Sequence, residues 1–134
     1  MAKESGLGMS VAVDDSGGSA RTISNDITNM DWATPRDESD TTGLDKSAHE
    51  RLLTLADFST TLNGVFNDAS NMSHDVFKTV PSSSVARTVT IGISGQTLAC
   101  EAFFSDYSLS RGSDGTLTWS APGALSGGAV PTWA

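Results

Sequence analysis

The sequence is poor in most of the residues that carry chemistry. It holds one cysteine, Cys100, among 134 residues, so no intramolecular disulfide is possible. The two histidines, His49 and His74, would need Cys100 and a carboxylate to complete a usual zinc site. No C-x-x-C or H-E-x-x-H spacing brings such ligands together. There is no G-x-S-x-G elbow and no P-loop, and no acid, base and nucleophile form a constellation. The expectation is a protein that is not an enzyme and that has no cofactor and no metal. Long apolar runs are missing too: nothing approaches the roughly 20 apolar residues that span a bilayer. Met1-Ala-Lys-Glu-Ser-Gly6 has no apolar segment behind its lysine, unlike a secretory signal. No membrane binding is expected, and assembly in a reducing cytoplasm fits. Positive charge is scarce. Eight Lys and Arg face sixteen Asp and Glu, a net charge of −8, which disfavours binding nucleic acid by phosphate neutralisation. Taken alone, that acidity signals only solubility.

What is present reads as short strands. Apolar runs are brief and punctuated by Gly, Ser, Asn and Asp, a pattern of antiparallel sheets packed as a sandwich or partial barrel. The expected layout is an N-terminal arm over 1–8, one mainly β domain over 9–122, and a C-terminal arm over 123–134. Met9–Val13 alternates as a first strand, Asp14–Ser19 turns, and Arg21–Thr34 is extended. Residues 35–48 form a long polar loop in which Leu44 is the sole large apolar side chain. Such a loop is functional or disordered more often than incidental, so it is read as a contact element that orders on assembly. From His49 to Asn67 the chain is extended, with Phe58, Thr60, Leu62, Gly64 and Phe66 on one face. Asn63-Gly64 resembles a hairpin turn, but Val65-Phe66-Asn67 is too short to be a useful partner strand. One helix is predicted over 69–80. Asp68 or Ser70 caps it, Met72, Val76 and Val80 form its stripe, and Pro81 stops it.

The segment from Val85 to Phe104 is the most explicit. Ser94-Gly95 is a two-residue turn between alternating strands. It pairs Ile93 with Gln96, Ile91 with Leu98, Val89 with Cys100 and Val85 with Phe104. One face collects Val85, Val89, Ile91, Ile93, Leu98, Cys100, Ala102 and Phe104, with Arg87 near its open end. The other collects Ala86, Thr88, Thr90, Gly92, Thr97, Ala99, Glu101 and Phe103, small and mostly polar, which would suit a smooth wall. Cys100 thereby points into the core, where a thiol behaves as a small hydrophobe. A second hairpin joins Tyr107–Arg111 to Thr116–Ser120. Beyond Pro122 the pattern is lost, although Leu125, Val130 and Trp133 remain apolar. That arm is expected to contact a neighbouring subunit, with Trp133 as its aromatic anchor; the alternative is that Trp133 folds back on its own domain.

Several runs carry a family resemblance. Ile23-Ser-Asn-Asp-Ile-Thr-Asn-Met-Asp-Trp-Ala-Thr-Pro35, Thr42-Gly-Leu-Asp-Lys46 and Ala56-Asp-Phe-Ser-Thr-Thr-Leu-Asn-Gly-Val-Phe-Asn-Asp68 resemble the small major tail proteins of actinobacterial siphophages. Ser73–Lys78 and Leu117–Gly123 add to the likeness, which covers nearly the whole chain. The resemblance implies a two-sheet β-sandwich with a flanking helix. It implies six-membered rings joined edge to edge and stacked into a tube that conducts DNA. It further implies that the loop Pro35–Ser47 contacts the adjacent ring, which gives roles to Arg36, Asp37, Glu38, Asp40, Asp45 and Lys46. The family's acidic lumen makes Thr88, Thr90, Thr97 and Glu101 the candidate lining. The implied partners are further copies of this chain, tape-measure and tail-terminator or tip proteins, and DNA that passes without sticking; the implied location is the virion tail. A competing reading is a carbohydrate-binding or adhesion module that uses Trp32, Trp119 and Trp133.

Overall fold

The computed structural model describes Lys3 and residues 5–134, so positions 1, 2 and 4 of the expected N-terminal arm lie outside the described residues. The strands are β1 (Ser10–Asp14), β2 (Ala20–Thr22), β3 (Ile27–Ala33), β4 (Arg36–Asp40), β5 (Arg51–Ala56), β6 (Ser59–Val65), β7 (Arg87–Ile93), β8 (Gln96–Phe104), β9 (Ser108–Arg111), β10 (Leu117–Leu125) and β11 (Thr132–Trp133), with helix α1 (Ser73–Phe77). All pairings are antiparallel. One sheet runs β2-β1-β7-β8-β10-β6-β3, with β11 added to β8 and β9 to β10; β4 and β5 form a separate pair. The mainly β sandwich expected from the sequence is the fold observed.

The β7–β8 hairpin forms in the register read from its alternation, from Ile93↔Gln96 to Arg87↔Ala102. Ser94 and Gly95 both take positive φ (49° and 82°), the backbone that a two-residue hairpin turn demands. Val85 lies outside the ladder, because β7 starts at Arg87 and Phe104 pairs with Gly123 of β10. Val89, Ile91, Leu98 and Ala102 are buried. They meet Val11 and Val13 of β1, Phe58 and Leu62 beside or within β6, and Trp119 and Ala121 of β10 in one core. Arg87, on the same inward face, is only 1% exposed. Its guanidinium donates to the Asp14 carbonyl (2.9 Å) and the Thr79 hydroxyl (2.9 Å). It therefore ties the end of β1 to the turn after the helix instead of fraying at an open end.

The strand from Ser59 to Val65 is continuous, without a turn at Asn63-Gly64, and Phe58, Thr60, Leu62 and Gly64 are buried as the period-two pattern predicts. Gly64 is required by space: a Cβ there would lie 2.0 Å from the Asp26 carbonyl and 2.8 Å from the Trp119 ring. The helix is shorter than 69–80. No side chain at its own N-cap closes it. Instead the Ser73 N–H donates to the carboxylate of buried Asp26 (3.1 Å), 47 residues away in the chain. Phe77 then wedges against Phe104 (5.1 Å) and Trp119 (5.2 Å), bridging the two layers.

Two further departures concern segments read as irregular. Within the expected loop 35–48, residues Arg36–Asp40 form β4, paired with β5 from Arg36↔Ala56 to Asp40↔Arg51. The strand Arg-Asp-Glu-Ser-Asp has no apolar face, so it is held by backbone pairing rather than by burial. Likewise, β10 passes through Pro122 to Leu125. Below this point β10 pairs with β9 (Leu117–Ser120), and above it with β8 (Gly123–Leu125). Proline, which has no N–H, stands in the gap between the two ladders, where a donor is not needed. The chain after Leu125 is not all arm either: Thr132 and Trp133 pair with Ala99 and Leu98.

Candidate functional surfaces

The registers build an outward face residue by residue. On β1 it carries Ser10, Ala12 and Asp14, on β7 Thr88, Thr90 and Gly92, and on β8 Thr97, Ala99, Glu101 and the half-exposed ring of Phe103. Ala20 and Thr22 of β2 extend it at one edge and Thr132 of β11 at the other. The four residues predicted from sequence, Thr88, Thr90, Thr97 and Glu101, thus share one wall, which is wider than the hairpin alone. The Thr88 hydroxyl donates to the Glu101 carboxylate across the strands. Strands β1 and β7 approach closely at the rim, where a Cβ on Gly92 would meet Ser10 Oγ at 2.7 Å.

The opposite layer has a similar outer face that sequence reasoning did not single out. It presents Asn29, Asp31 and Ala33 from β3, Ser59, Thr61, Asn63 and exposed Val65 from β6, and Thr118, Ser120 and Pro122 from β10. Ser108 and Ser110 of β9 continue it, and a shallow depression of about 300 Å³ lies beside Asn63, Ser108 and Thr118. The alternation of β6 carried this signal, because its buried Phe58-Thr60-Leu62-Gly64 face leaves Ser, Thr and Asn outside. Neither face presents a Lys or Arg outward among the described residues. Arg21 pairs with Asp15 (3.0 Å), Lys78 pairs with Asp75 (2.8 Å), and Arg87 is buried.

Three of the eight basic residues, Arg36, Lys46 and Arg51, lie on the β4–β5 hairpin and its loop, interleaved with acids. Arg36 donates through Nε and Nη2 to the Thr54 carbonyl (3.0 and 2.8 Å). Arg51 stands 3.8 Å from Glu38, Lys46 lies 3.8 Å from Glu50, and His49 Nδ1 is 3.2 Å from Asp40. Thr42 closes the tip: it donates to Asp40 and accepts from the Glu50 N–H (2.8 Å). Those bonds from Thr42, with a smaller one from His49, hold the Asp40 carboxyl below its ordinary value. Asp37 falls at the bulge between Arg36 and Glu38, and Asp45 flanks Lys46 in the tip loop. The predicted residues Arg36, Asp37, Glu38, Asp40, Asp45 and Lys46 thus all belong to one projecting element. Leu52, Leu53 and Leu55 are 59%, 56% and 75% exposed on it.

The three apolar residues of the expected arm are separated. Leu125 ends β10 and packs against the core, Val130 is exposed, and Trp133 is about half exposed beside Ile93 and Gln96. The tryptophans make no common platform. Trp119 is buried with its Nε1 donating to the Val65 carbonyl (3.0 Å), Trp32 lines a cleft beside β3, and Trp133 sits at the β8 edge. Cys100 is half-buried, and burial with the neighbouring Glu101 pushes its thiol up to about 11, so it is not a thiolate at neutral pH. His74 is half-buried as well, with Nδ1 3.2 Å from the Tyr107 hydroxyl and its ring against Phe66. No three His, Cys, Asp or Glu side chains cluster as metal ligands among the described residues.

No protein-family model matches the sequence, and no curated protein matches it. The fold has clear counterparts among solved structures. The chain is similar to one from the virion of a native gene transfer agent particle, with a TM-score of 0.78 and 14% identity over 98% of this chain and 99% of that one. It is also similar to a chain from the tail of an empty gene transfer agent particle determined with C6 symmetry, with a TM-score of 0.76, 15% identity and the same coverage. At such low identity the likeness is one of fold, and it extends over essentially the full length of both chains.

Proposed function

We propose that this protein is a non-enzymatic structural subunit of a phage-like tail tube, in which six copies close a ring, rings stack, and the lumen conducts DNA. The observation that carries this reading is the end-to-end match in fold with a chain of a C6-symmetric tail. The outer faces support it. A wall of hydroxyls, amides and scattered carboxylates offers no cation to a passing phosphate, and a net charge of −8 adds repulsion. Thr88, Thr90, Thr97 and Glu101 line the lumen in this reading. The β4–β5 hairpin, with Arg36, Asp37, Glu38, Asp40, Asp45 and Lys46, makes the ring-to-ring contact. Val130 and the exposed half of Trp133 lie toward a neighbouring subunit, while Leu125 packs into its own core. The remaining partners are tape-measure and tail-terminator or tip proteins, and the site of action is the virion tail after assembly in the host cytoplasm. The sequence resemblance to actinobacterial siphophage tail proteins supplies the narrower family. Negative-stain microscopy of the purified protein over a range of concentrations tests the reading. Rings or tubes are expected; a strictly monomeric species at every concentration would overturn it.

A further inference from the structure

An asparagine or aspartate followed by glycine is prone to close a succinimide ring, because glycine puts no side chain in the way of its own nitrogen. The chain has one pair of each kind, Asn63-Gly64 and Asp114-Gly115, and the fold gives them opposite settings. Asp114 stands in the exposed turn between β9 and β10. Its carboxylate accepts from the Thr116 N–H (3.0 Å), which holds the carboxyl below its ordinary value. It is therefore ionised at neutral pH, and a carboxylate is a poor target for a nucleophile. Asn63 carries a neutral amide, which needs no protonation to be attacked. It points outward from β6 beside Thr61 and is half-buried. What protects it is the strand. Gly64 is paired with Trp119 on one side and with Ile27 on the other. Ring closure requires the Gly64 nitrogen to leave the extended chain and fold back over the Asn63 side chain, and a strand held at both edges does not permit that. Behind Gly64, the Asp26 carbonyl and the Trp119 ring leave no room for even a methyl group, so the backbone cannot shift inward. Trp119 also pins the next peptide, with Nε1 donating to the Val65 carbonyl (3.0 Å).

We propose that Asn63-Gly64 is a deamidation site that the native fold shields and unfolding opens, so that it records time spent unfolded. In the open chain the Gly64 nitrogen attacks Asn63 Cγ, and its proton passes to solvent base. The new N–Cγ bond closes the succinimide, and the side-chain nitrogen takes up a proton and leaves as ammonia. Water then opens the ring at either carbonyl, giving aspartate or isoaspartate. The aspartate product adds a carboxylate to the outer face of β6. The isoaspartate product routes the main chain through Cγ and so inserts one extra carbon before Gly64. In a strand paired at both edges that insertion puts Gly64 and all that follows out of register, and Gly64 no longer meets the Asp26 carbonyl and the Trp119 ring. Space fixes glycine at position 64, so the lability depends on the outward residue at 63, where Thr61 and Ser59 show that a hydroxyl fits the same face. Chains that linger unfolded are thereby withdrawn from the pool that can fold again.

Peptide mass spectrometry tests the site. The full chain is aged at mildly alkaline pH, one sample native and one in urea, and the tryptic peptide 52–78 is sequenced from each. Conversion at Asn63 is expected to run at least about tenfold faster in urea than in the native protein, because exchange of a central strand requires global opening. In urea it is also expected to outrun Asn67 and Asn71 of the same peptide. Equal rates in the two samples overturn the shielding. Asn67 or Asn71 converting as fast as Asn63 in urea overturns the site. Refolding tests the consequence. On dilution from urea, aged wild type is expected to lose refoldable protein in step with its isoaspartate content, while Asn63→Thr aged in the same way keeps it. Isoaspartate-bearing wild type that regains the native melting curve, or Asn63→Thr that loses refolding equally, overturns the one-way record.

Discussion

Two antiparallel strand pairs, β7–β8 and β4–β5, have the same local architecture and opposite surroundings. In β7–β8 the inward residues Val89, Ile91 and Leu98 are buried against the opposite layer, and the outward residues are small and mostly polar apart from Phe103. In β4–β5 little is buried among the described residues: Arg36–Asp40 is exposed throughout, and so are the leucines of β5, although Leu55 lies near Val130. Strand pairing is thus common to both, and burial distinguishes them. Burial contributes roughly 25 cal/mol per Å² of apolar surface, so the body is stable by itself while the hairpin stands exposed until something covers it. The core thus lies in the body, and the hairpin adds little to it.

Substitutions sharpen that contrast in descending order of effect. Phe77→Ala removes the ring that bridges Phe104 and Trp119, and it is expected to cost about 4 kcal/mol in urea or thermal unfolding. Gly64→Ala drives a methyl into the Asp26 carbonyl and the Trp119 ring, with an expected loss of about 3 kcal/mol by the same measurement. Leu53→Ser on the hairpin is expected to change monomer stability by less than about 0.5 kcal/mol, yet to abolish assembly seen by sedimentation. If Leu53→Ser instead melts the monomer early, the division between the two regions fails. The smallest effect concerns pH. The Ser19 N–H first, with Arg21 and the Gly17 N–H, holds the Asp15 carboxyl below its usual 3.8 in the folded state. The stability this lends is present above that value and is lost as pH falls through the lower, folded pKa. Asp15→Asn is therefore expected to flatten the acid limb of the unfolding curve below about pH 4 and leave neutral stability nearly unchanged.

The same contrast explains what could be read in the sequence. The β7–β8 register was legible because alternation and a Ser-Gly turn are local signals, and burial follows them with a period of two. The Phe58-Thr60-Leu62-Gly64 face was legible for that reason too. β4 was not, since Arg-Asp-Glu-Ser-Asp offers no alternation and its pairing with β5 is written only in backbone groups. The helix was drawn too long because its first N–H is satisfied by Asp26, an acceptor from the far side of the fold that no local capping rule sees. Of the candidate surface residues, Thr88, Thr90, Thr97 and Glu101 were grouped correctly as one face. Their continuation over β1, β2 and β11 depends on pairings between segments up to about eighty residues apart. The matching face on the other layer escaped notice because Asn29, Asp31, Thr61 and Ser120 come together only once β10 lies between β6 and β8.

Pro122 has a further consequence. β10 is the strand both layers share, and a shared strand is a joint that could slide. A slip by one residue would turn Trp119 and Ala121 outward and is excluded by burial. A slip by two would keep every side chain on its proper face, so burial offers no protection against it. It would, however, carry the one residue without an N–H out of the gap between β9 and β8 and into a hydrogen-bonded rung. The imino acid thus acts as an indexing pin, opposing a misalignment that alternation alone does not exclude, alongside the close fit of Gly64 to Trp119.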